Sequence, residues 1–236
     1  MLDTLTVKIF ADGADLTQIA HLAENSQISG FTTNPTLMWK AGLTDYAEFA
    51  HRLLSIVPDR PISFEIFADD ESEMRRQAEV IASWGDNVYI KIPVTDTSGN
   101  STEKLARALS NEGVKLNITA LMTTSQVETV TAAVADGAPC FISVFAGRIA
   151  DAGTDPLPIM RDSLDIMRAA PLAELIWASP REVLNVVQAN DIGCHVITVT
   201  NDILAKLPAL GKDLLQFSLE TVQMFHRDAA AAGFTL

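Results

Sequence analysis

The sequence predicts an α/β fold of the (β/α)8 TIM-barrel class with a C-terminal helical extension. Three observations point there. Short segments rich in Val, Ile and Phe alternate with longer segments of helical spacing, the pattern of a parallel sheet with helices outside it. Eight such units follow one another, and eight is the number that closes a barrel. The first strand runs into FADGAD, with one glycine, so the Gly-rich phosphate turn of an open doubly wound sheet is absent.

In chain order, strands are read at 8–12 (KIFAD), 30–34 (GFTTN), 61–67 (PISFEIF) and 88–94 (VYIKIPV). Four more are read at 115–121 (KLNITAL), 139–147 (PCFISVFAG), 173–179 (AELIWAS) and 195–201 (HVITVTN). The segments between them repeat apolar residues on one helical face: Met74, Ala78 and Ile81; Leu105, Ala108 and Leu109; Val127, Val130 and Val134; Val183, Val186 and Val187. Ser101, and Ser125 with Glu128 three residues on, read as helix starts. Gly30, Gly113, Gly137 and Gly193 read as helix ends just ahead of strands. The polar stretch TDTSGNST, 95–102, is either a solvated loop or a lid over the active-site face. Residues 212–236 extend past the eighth unit, helix-like through His226 and then Ala-rich; they cap the barrel or reach a neighbouring subunit.

The 236 residues are 48% hydrophobic, enough for one large core, so residues 1–236 are read as a single domain. A net charge of −13 argues against nucleic acid as a main partner while leaving room for a local cationic pocket. There is no charged-then-apolar leader and no long uncharged apolar run, which reads as a soluble, cytoplasmic protein without membrane partners. Cys140 and Cys194 read as small buried hydrophobes. His21, His51, His195 and His226 are scattered, with no metal-ligand spacing, so no metal is expected.

In such a barrel the active site lies at the C-terminal ends of the strands. Polar residues late in the strands are Asp12; Thr32, Thr33 and Asn34; Glu65; Lys91; Asn117 and Thr119; Ser143, with Arg148 just after; Ser179, with Arg181; and Thr198, Thr200 and Asn201. Each has an ordinary reading by itself, Asp12 as a helix cap for example. Together they bring two carboxylates and a lysine to one mouth. Alternation along VYIKIPV puts Val88, Ile90 and Ile92 on one face, and Tyr89, Lys91 and Pro93 on the other. Lys91 therefore either packs its stem between helices with its ammonium in water, or faces the barrel interior. In the second case desolvation disfavours the ammonium, and a neutral amine can attack a carbonyl to form a Schiff base.

Seven stretches carry a family resemblance: FAD at 10–12, GFTTNPTL at 30–37, YIKIPVT at 89–95, NITAL at 117–121, SVFAGRI at 143–149, WASPRE at 177–182 and VTNDIL at 199–204. In order and spacing the chain resembles the transaldolase family, within it the small transaldolases and fructose-6-phosphate aldolase-like proteins. The resemblance implies a cofactor-free, metal-independent barrel enzyme that cleaves a ketose phosphate, such as fructose 6-phosphate or sedoheptulose 7-phosphate. A dihydroxyacetone unit stays on the lysine and passes to an aldehyde acceptor. Lys91 would form the Schiff base, and Asp12 would take the proton of the donor's C4 hydroxyl. Glu65 and Thr119 would hold a proton-shuttling water. Asn34, Asn117 and Ser143 would bind the three-carbon unit, with Thr32 or Thr33 on the same wall. Arg148, Ser179 and Arg181 match the phosphate-binding positions, and two guanidiniums beside a hydroxyl suit a tetrahedral oxyanion.

Glu65 and Phe145 stand where the aldolase branch, which releases dihydroxyacetone, is expected to have glutamine and tyrosine; this places the chain with the transferases. Gly13, Val144 and Pro180 depart from the family pattern, as does the long 95–102 loop, and they leave the sugar and its anion, phosphate or sulfonate, open. The resemblance also implies homo-oligomers, often decamers, and a place in pentose phosphate metabolism. Two other readings are a deoxyribose-phosphate-type aldolase, which TTNP argues against, and a non-catalytic sugar-phosphate-binding barrel.

Overall fold

A computed structural model describes residues 4–235; the outermost residues of the 1–236 domain and 212–236 extension lie outside the described ones. Eight strands form a closed barrel in sequence order, each parallel to its neighbours. They are β1 (Lys8–Asp12), β2 (Ile28–Thr32), β3 (Ile62–Glu65), β4 (Val88–Pro93), β5 (Leu116–Leu121), β6 (Cys140–Val144), β7 (Ala173–Trp177) and β8 (Val196–Thr200). Helices follow each strand, and none is long and apolar enough to cross a membrane among the described residues.

The apolar side chains divide into two layers. Ile90, Ile92, Leu116, Ile118 and their counterparts on the other strands pack outward, in one continuous cluster, against buried helix residues such as Met74, Ala78, Leu105, Leu109, Val127 and Val130. A smaller cluster of Phe10, Phe141, Ile176, Ala178 and Val196 joins half-buried Tyr89 and Phe145. Phe10 meets Phe141 edge-on at 5.3 Å, and Tyr89 lies 4.4 Å from Phe141. Each fully buried aromatic or aliphatic side chain contributes roughly 1.5–3 kcal/mol.

Three local readings are corrected. β2 starts at Ile28, two residues early, and Gly30 lies inside it rather than ahead of it. A Cβ there would stand 2.6 Å from the Phe10 ring, so the glycine makes room for that ring. The helix after β5 is capped by Thr123, whose hydroxyl accepts from the Gln126 amide while the Gln126 side chain reaches back; Ser125 sits inside the first turn. Asp12 is not a cap: Asp15 starts the helix Leu16–Ala23, accepting from Thr17 and Gln18. Asp12 is left to the barrel.

The 95–102 stretch folds on itself. Asp96 accepts from Ser98 N, Asn100 N and Asn100 Nδ2, Thr95 bridges Ser101, and Thr97 is tied to Asp69. None of its residues lines the central cavity; Thr95, Asp96 and Thr97 border an adjoining pocket that shares Pro35, Glu65 and Pro93 with it. The helix Leu214–Ala232 begins at an Asp213 cap and buries none of its residues.

Candidate active site at the barrel mouth

A cavity of about 550 Å³ opens among the strand ends. Twelve of the thirteen residues given a site role from the family resemblance line it: Asp12, Thr32, Asn34, Glu65, Lys91, Asn117, Thr119, Ser143, Phe145, Arg148, Ser179 and Arg181. Strand register brings the chemical groups level. Asp12 pairs with Thr32 across β1 and β2, Glu65 with Lys91 across β3 and β4, and Lys91 with Asn117 across β4 and β5.

Lys91 faces the interior and is 7% exposed. Its flanking isoleucines point the other way, into the outer core, as a two-residue period demands. The ammonium lies 3.1 Å from Glu65 Oε2 and donates to the Thr33 carbonyl at 3.1 Å. Glu65 is itself held through its carbonyl, which accepts from the Tyr46 hydroxyl at 2.8 Å.

The thirteenth residue, Thr33, does not present its side chain to the cavity. It is buried and its hydroxyl donates to Ser63 O at 3.3 Å, because alternation past Thr32 turns it outward. Its backbone carbonyl is what serves the lysine.

Asp12 accepts from the Thr32 hydroxyl at 2.8 Å. Burial pushes its carboxyl above the ordinary carboxylate range; the Lys91 charge and the Thr32 hydrogen bond oppose that, and Glu65 adds to it. On the other wall, Ser143 donates to Asn117 Oδ1 at 2.7 Å and Asn117 donates to Ser63 Oγ at 2.9 Å. Asn34 spends its amide oxygen capping the helix Pro35–Lys40, at 3.0 Å from Leu37 N, which leaves its NH2 for the cavity. The Thr119 hydroxyl is buried in the lining with no hydrogen-bond partner among the described residues, a state that costs about 1–3 kcal/mol unless a bound group satisfies it.

The cationic corner lies between the ends of β6 and β7. Arg148 stands over the Phe145 ring at 5.8 Å. Arg181 is gripped by Asp151 through Nε at 2.9 Å and a terminal nitrogen at 2.5 Å, and its other terminal nitrogen points to Ser179 Oγ at 3.5 Å. That ion pair holds the Asp151 carboxyl below its usual range. Ser179 has φ +62° and Ala120 φ +67°, and both left-handed residues line the cavity. Such backbone costs of order 1–3 kcal/mol and concentrates at functional sites. Gly147 makes the corner close: a Cβ there would fall 1.5 Å from the Ser179 carbonyl oxygen. Gly147→Ala is therefore expected to displace the Ser179 loop and destabilise the fold by about 1–3 kcal/mol. Urea unfolding checks it; an unchanged midpoint would refute the close-packing argument.

Among the described residues, no group of three or more His, Cys, Asp or Glu could hold a metal ion. Cys140 and Cys194 are buried away from the cavity, with thiols pushed up to about 12. Lys40, Thr36, Leu37 and Thr198 also line the cavity. Of these only Thr198 stood out in the sequence, as a polar residue late in the last strand, and Tyr46, Ser63 and Asp151 carried no signal at all.

The sequence profile of the Transaldolase/Fructose-6-phosphate aldolase family matches residues 9–236. The chain belongs to this family. It is 37% identical over 230 residues to the "Probable transaldolase" of Novosphingobium aromaticivorans, covering 96% of this chain and 98% of that protein. It is 35% identical over 202 residues to the "Probable transaldolase" of Dehalococcoides mccartyi, covering 85% and 90%. A solved structure from Burkholderia cenocepacia J2315 superposes with a TM-score of 0.59 at 14% identity, over 97% of this chain and 87% of that one; this likeness concerns the fold alone.

Proposed function

We propose that this transaldolase-family member is a Schiff-base transaldolase that moves a dihydroxyacetone unit from a ketose phosphate to an aldehyde. The observation that carries the reading is Lys91: an amine buried at the cavity floor, 3.1 Å from the carboxylate able to take its proton, in a cavity that also holds Asp12. The neutral amine attacks the ketose C2 carbonyl, water leaves, and the iminium accepts the electrons of the breaking C3–C4 bond. Asp12 takes the C4 hydroxyl proton as the aldehyde departs. Glu65, with the unpaired Thr119 hydroxyl, handles the water and protons of Schiff-base formation. Asn34, Asn117 and Ser143 hold the three-carbon unit, and Thr32 lines its wall. Arg148, Ser179 and Arg181 receive the anion.

Phe145 offers no hydroxyl to activate water, which supports transfer over release of free dihydroxyacetone; the fructose-6-phosphate aldolase-type lyase is the competing outcome. One observation favours a second donor class. Asp151 cancels one of the two guanidinium charges, so the corner is left with a single net positive charge. That suits a singly charged sulfonate, as in a 6-sulfo-sugar, as well as a phosphate carrying about −1.5 to −2.

Intact mass after fructose 6-phosphate and borohydride, with a coupled transfer assay to erythrose 4-phosphate, tests the reading. A reduced three-carbon adduct with transfer is the expected result. An adduct that yields only free dihydroxyacetone would make it a lyase. No adduct with fructose 6-phosphate, sedoheptulose 7-phosphate or a 6-sulfo-ketose would leave a binding barrel.

Cytoplasmic homo-oligomers, decamers among them, complete the proposal. The exposed Leu214, Leu215, Val222 and Phe225 on an otherwise unburied helix support contact with a second copy. Light scattering on a size-exclusion column is expected to give a multiple of the chain mass, and Leu215→Asp with Phe225→Asp a smaller species. A wild-type monomer would refute it.

A further inference from the structure

Thr198 has no part in the roles assigned above, yet it belongs to a buried chain of three groups. It projects from β8 into the cavity wall and is 8% exposed. Its hydroxyl lies 2.5 Å from the Thr32 hydroxyl, which lies 2.8 Å from Asp12 Oδ1. β8 and β2 flank β1, so the two threonines approach Asp12's strand from either side.

Proton counting fixes the direction of the chain. A hydroxyl has one proton and two lone pairs. An ionised Asp12 only accepts, so the Thr32 proton points at Oδ1, and the short contact to Thr198 must be donated by Thr198. Thr198 then shows the cavity lone pairs alone. Once Asp12 is protonated, the order can reverse: Asp12 donates to Thr32, Thr32 to Thr198, and the Thr198 proton is released toward the cavity. The two states differ only in which end of the chain presents a proton.

We propose that Thr32 and Thr198 form a reversible two-hydroxyl relay between Asp12 and the β8 wall of the cavity, in which Thr198 is the group that hands the proton to the reacting oxygen. The step balances. Asp12 gives one proton to Thr32 Oγ1, Thr32 passes its own to Thr198 Oγ1, and Thr198 gives its own to a substrate alkoxide or water oxygen. Both threonines end neutral, and Asp12 ends as a carboxylate. Oδ1 is committed to Thr32, so Oδ2 is the oxygen left for direct contact with the substrate. The relay rests on the aldol-cleavage reading for its use, though its geometry does not.

The test uses near-isosteric Thr198→Val and hydroxyl-retaining Thr198→Ser, with Thr198→Ala should the valine variant fail to fold. Two readouts serve. The first is single-turnover aldehyde release from fructose 6-phosphate in H2O–D2O mixtures. Wild type and Thr198→Ser are expected to give a bowed proton inventory, and Thr198→Val a linear one with release slowed about tenfold or more. The second is the Asp12 carboxyl titration, followed by carbon-13 NMR. The charged groups that face Asp12 are Lys91 from β4 and Glu65 from β3, both unchanged in the variants. Loss of the Thr198 donor weakens the Thr32 hydrogen bond to the carboxylate, so the titration is expected to move up. An unchanged titration, or unchanged release with a bowed inventory in the valine variant, overturns the relay. If wild type leaves no borohydride adduct, the lysine reading falls and the titration still decides the relay.

Discussion

Lys91→Ala is expected to abolish the borohydride-trapped adduct and to lower transfer activity by on the order of 10⁴-fold or more, the scale seen when a covalent nucleophile is removed. Lys91→Arg is the sharper variant. It keeps a cation for Glu65, which lies 3.1 Å from the lysine nitrogen, and so avoids leaving a buried carboxylate unpaired. A guanidinium stays protonated at any working pH and cannot form the iminium. Both variants are therefore expected to be equally dead, while the arginine variant keeps more of the wild-type stability. Intact mass, a transfer assay and a thermal melt on the same preparations read all three. An arginine variant with appreciable turnover would remove Lys91 from the covalent step and turn attention to electrostatic roles for the cation.

Lys91 was half legible in the sequence, because a strict two-residue period separates it from Ile90 and Ile92 without saying which face is inward. The closed barrel decides that: the isoleucines join the outer layer and the lysine lines the cavity. The same logic places Asp12, Glu65, Asn117 and Ser143, each at the inward phase of its own strand. It also explains the Thr32–Thr33 ambiguity: adjacent residues on a strand cannot share a face, and only the barrel shows that Thr32 is the inward one.

Other features were hidden for physical reasons. Tyr46 reaches the Glu65 carbonyl from a helix, and Asp151 reaches Arg181 from the end of the helix Ala146–Asp151, contacts that no local pattern encodes. The Thr123 cap was missed in favour of Ser125 because both offer a hydroxyl with a carboxylate or amide three residues on, and only backbone geometry separates them. Gly30 looked like a helix end because glycine is common there; its actual cause is the ring of Phe10 on the neighbouring strand. The relay through Thr198 depends on side chains from β1, β2 and β8 that meet across the closed barrel, Thr198 reaching Thr32 from the level of Phe10, two residues below Asp12.

Asp12→Asn is expected to lower turnover by about 10²–10⁴-fold, the range typical of a lost general acid–base group, while raising stability. The two effects share one cause. Burial pushes the Asp12 carboxyl above its ordinary value of 3.8 despite the Lys91 charge and the Thr32 hydrogen bond, so the folded state disfavours the ionised form that the proposed proton transfer needs. The sign follows from proton counting. With a folded pKa above the unfolded one, the native protein holds more protons between the two values, and stability falls as pH rises through that window. The loss begins near 3.8 and is complete once pH exceeds the folded value. The asparagine variant carries no such loss. It keeps an oxygen for Thr32, and Lys91 keeps Glu65 as its counter-charge. Melts of the two proteins should therefore agree at low pH and separate as pH rises, with the variant higher at neutrality by about 2–4 °C for each kcal/mol relieved. Wild type melting above the variant at pH 7 would mean that the Lys91 attraction outweighs the desolvation of Asp12, and that the carboxylate is built into the fold as a stabilising charge rather than held there at a cost for the proton it moves.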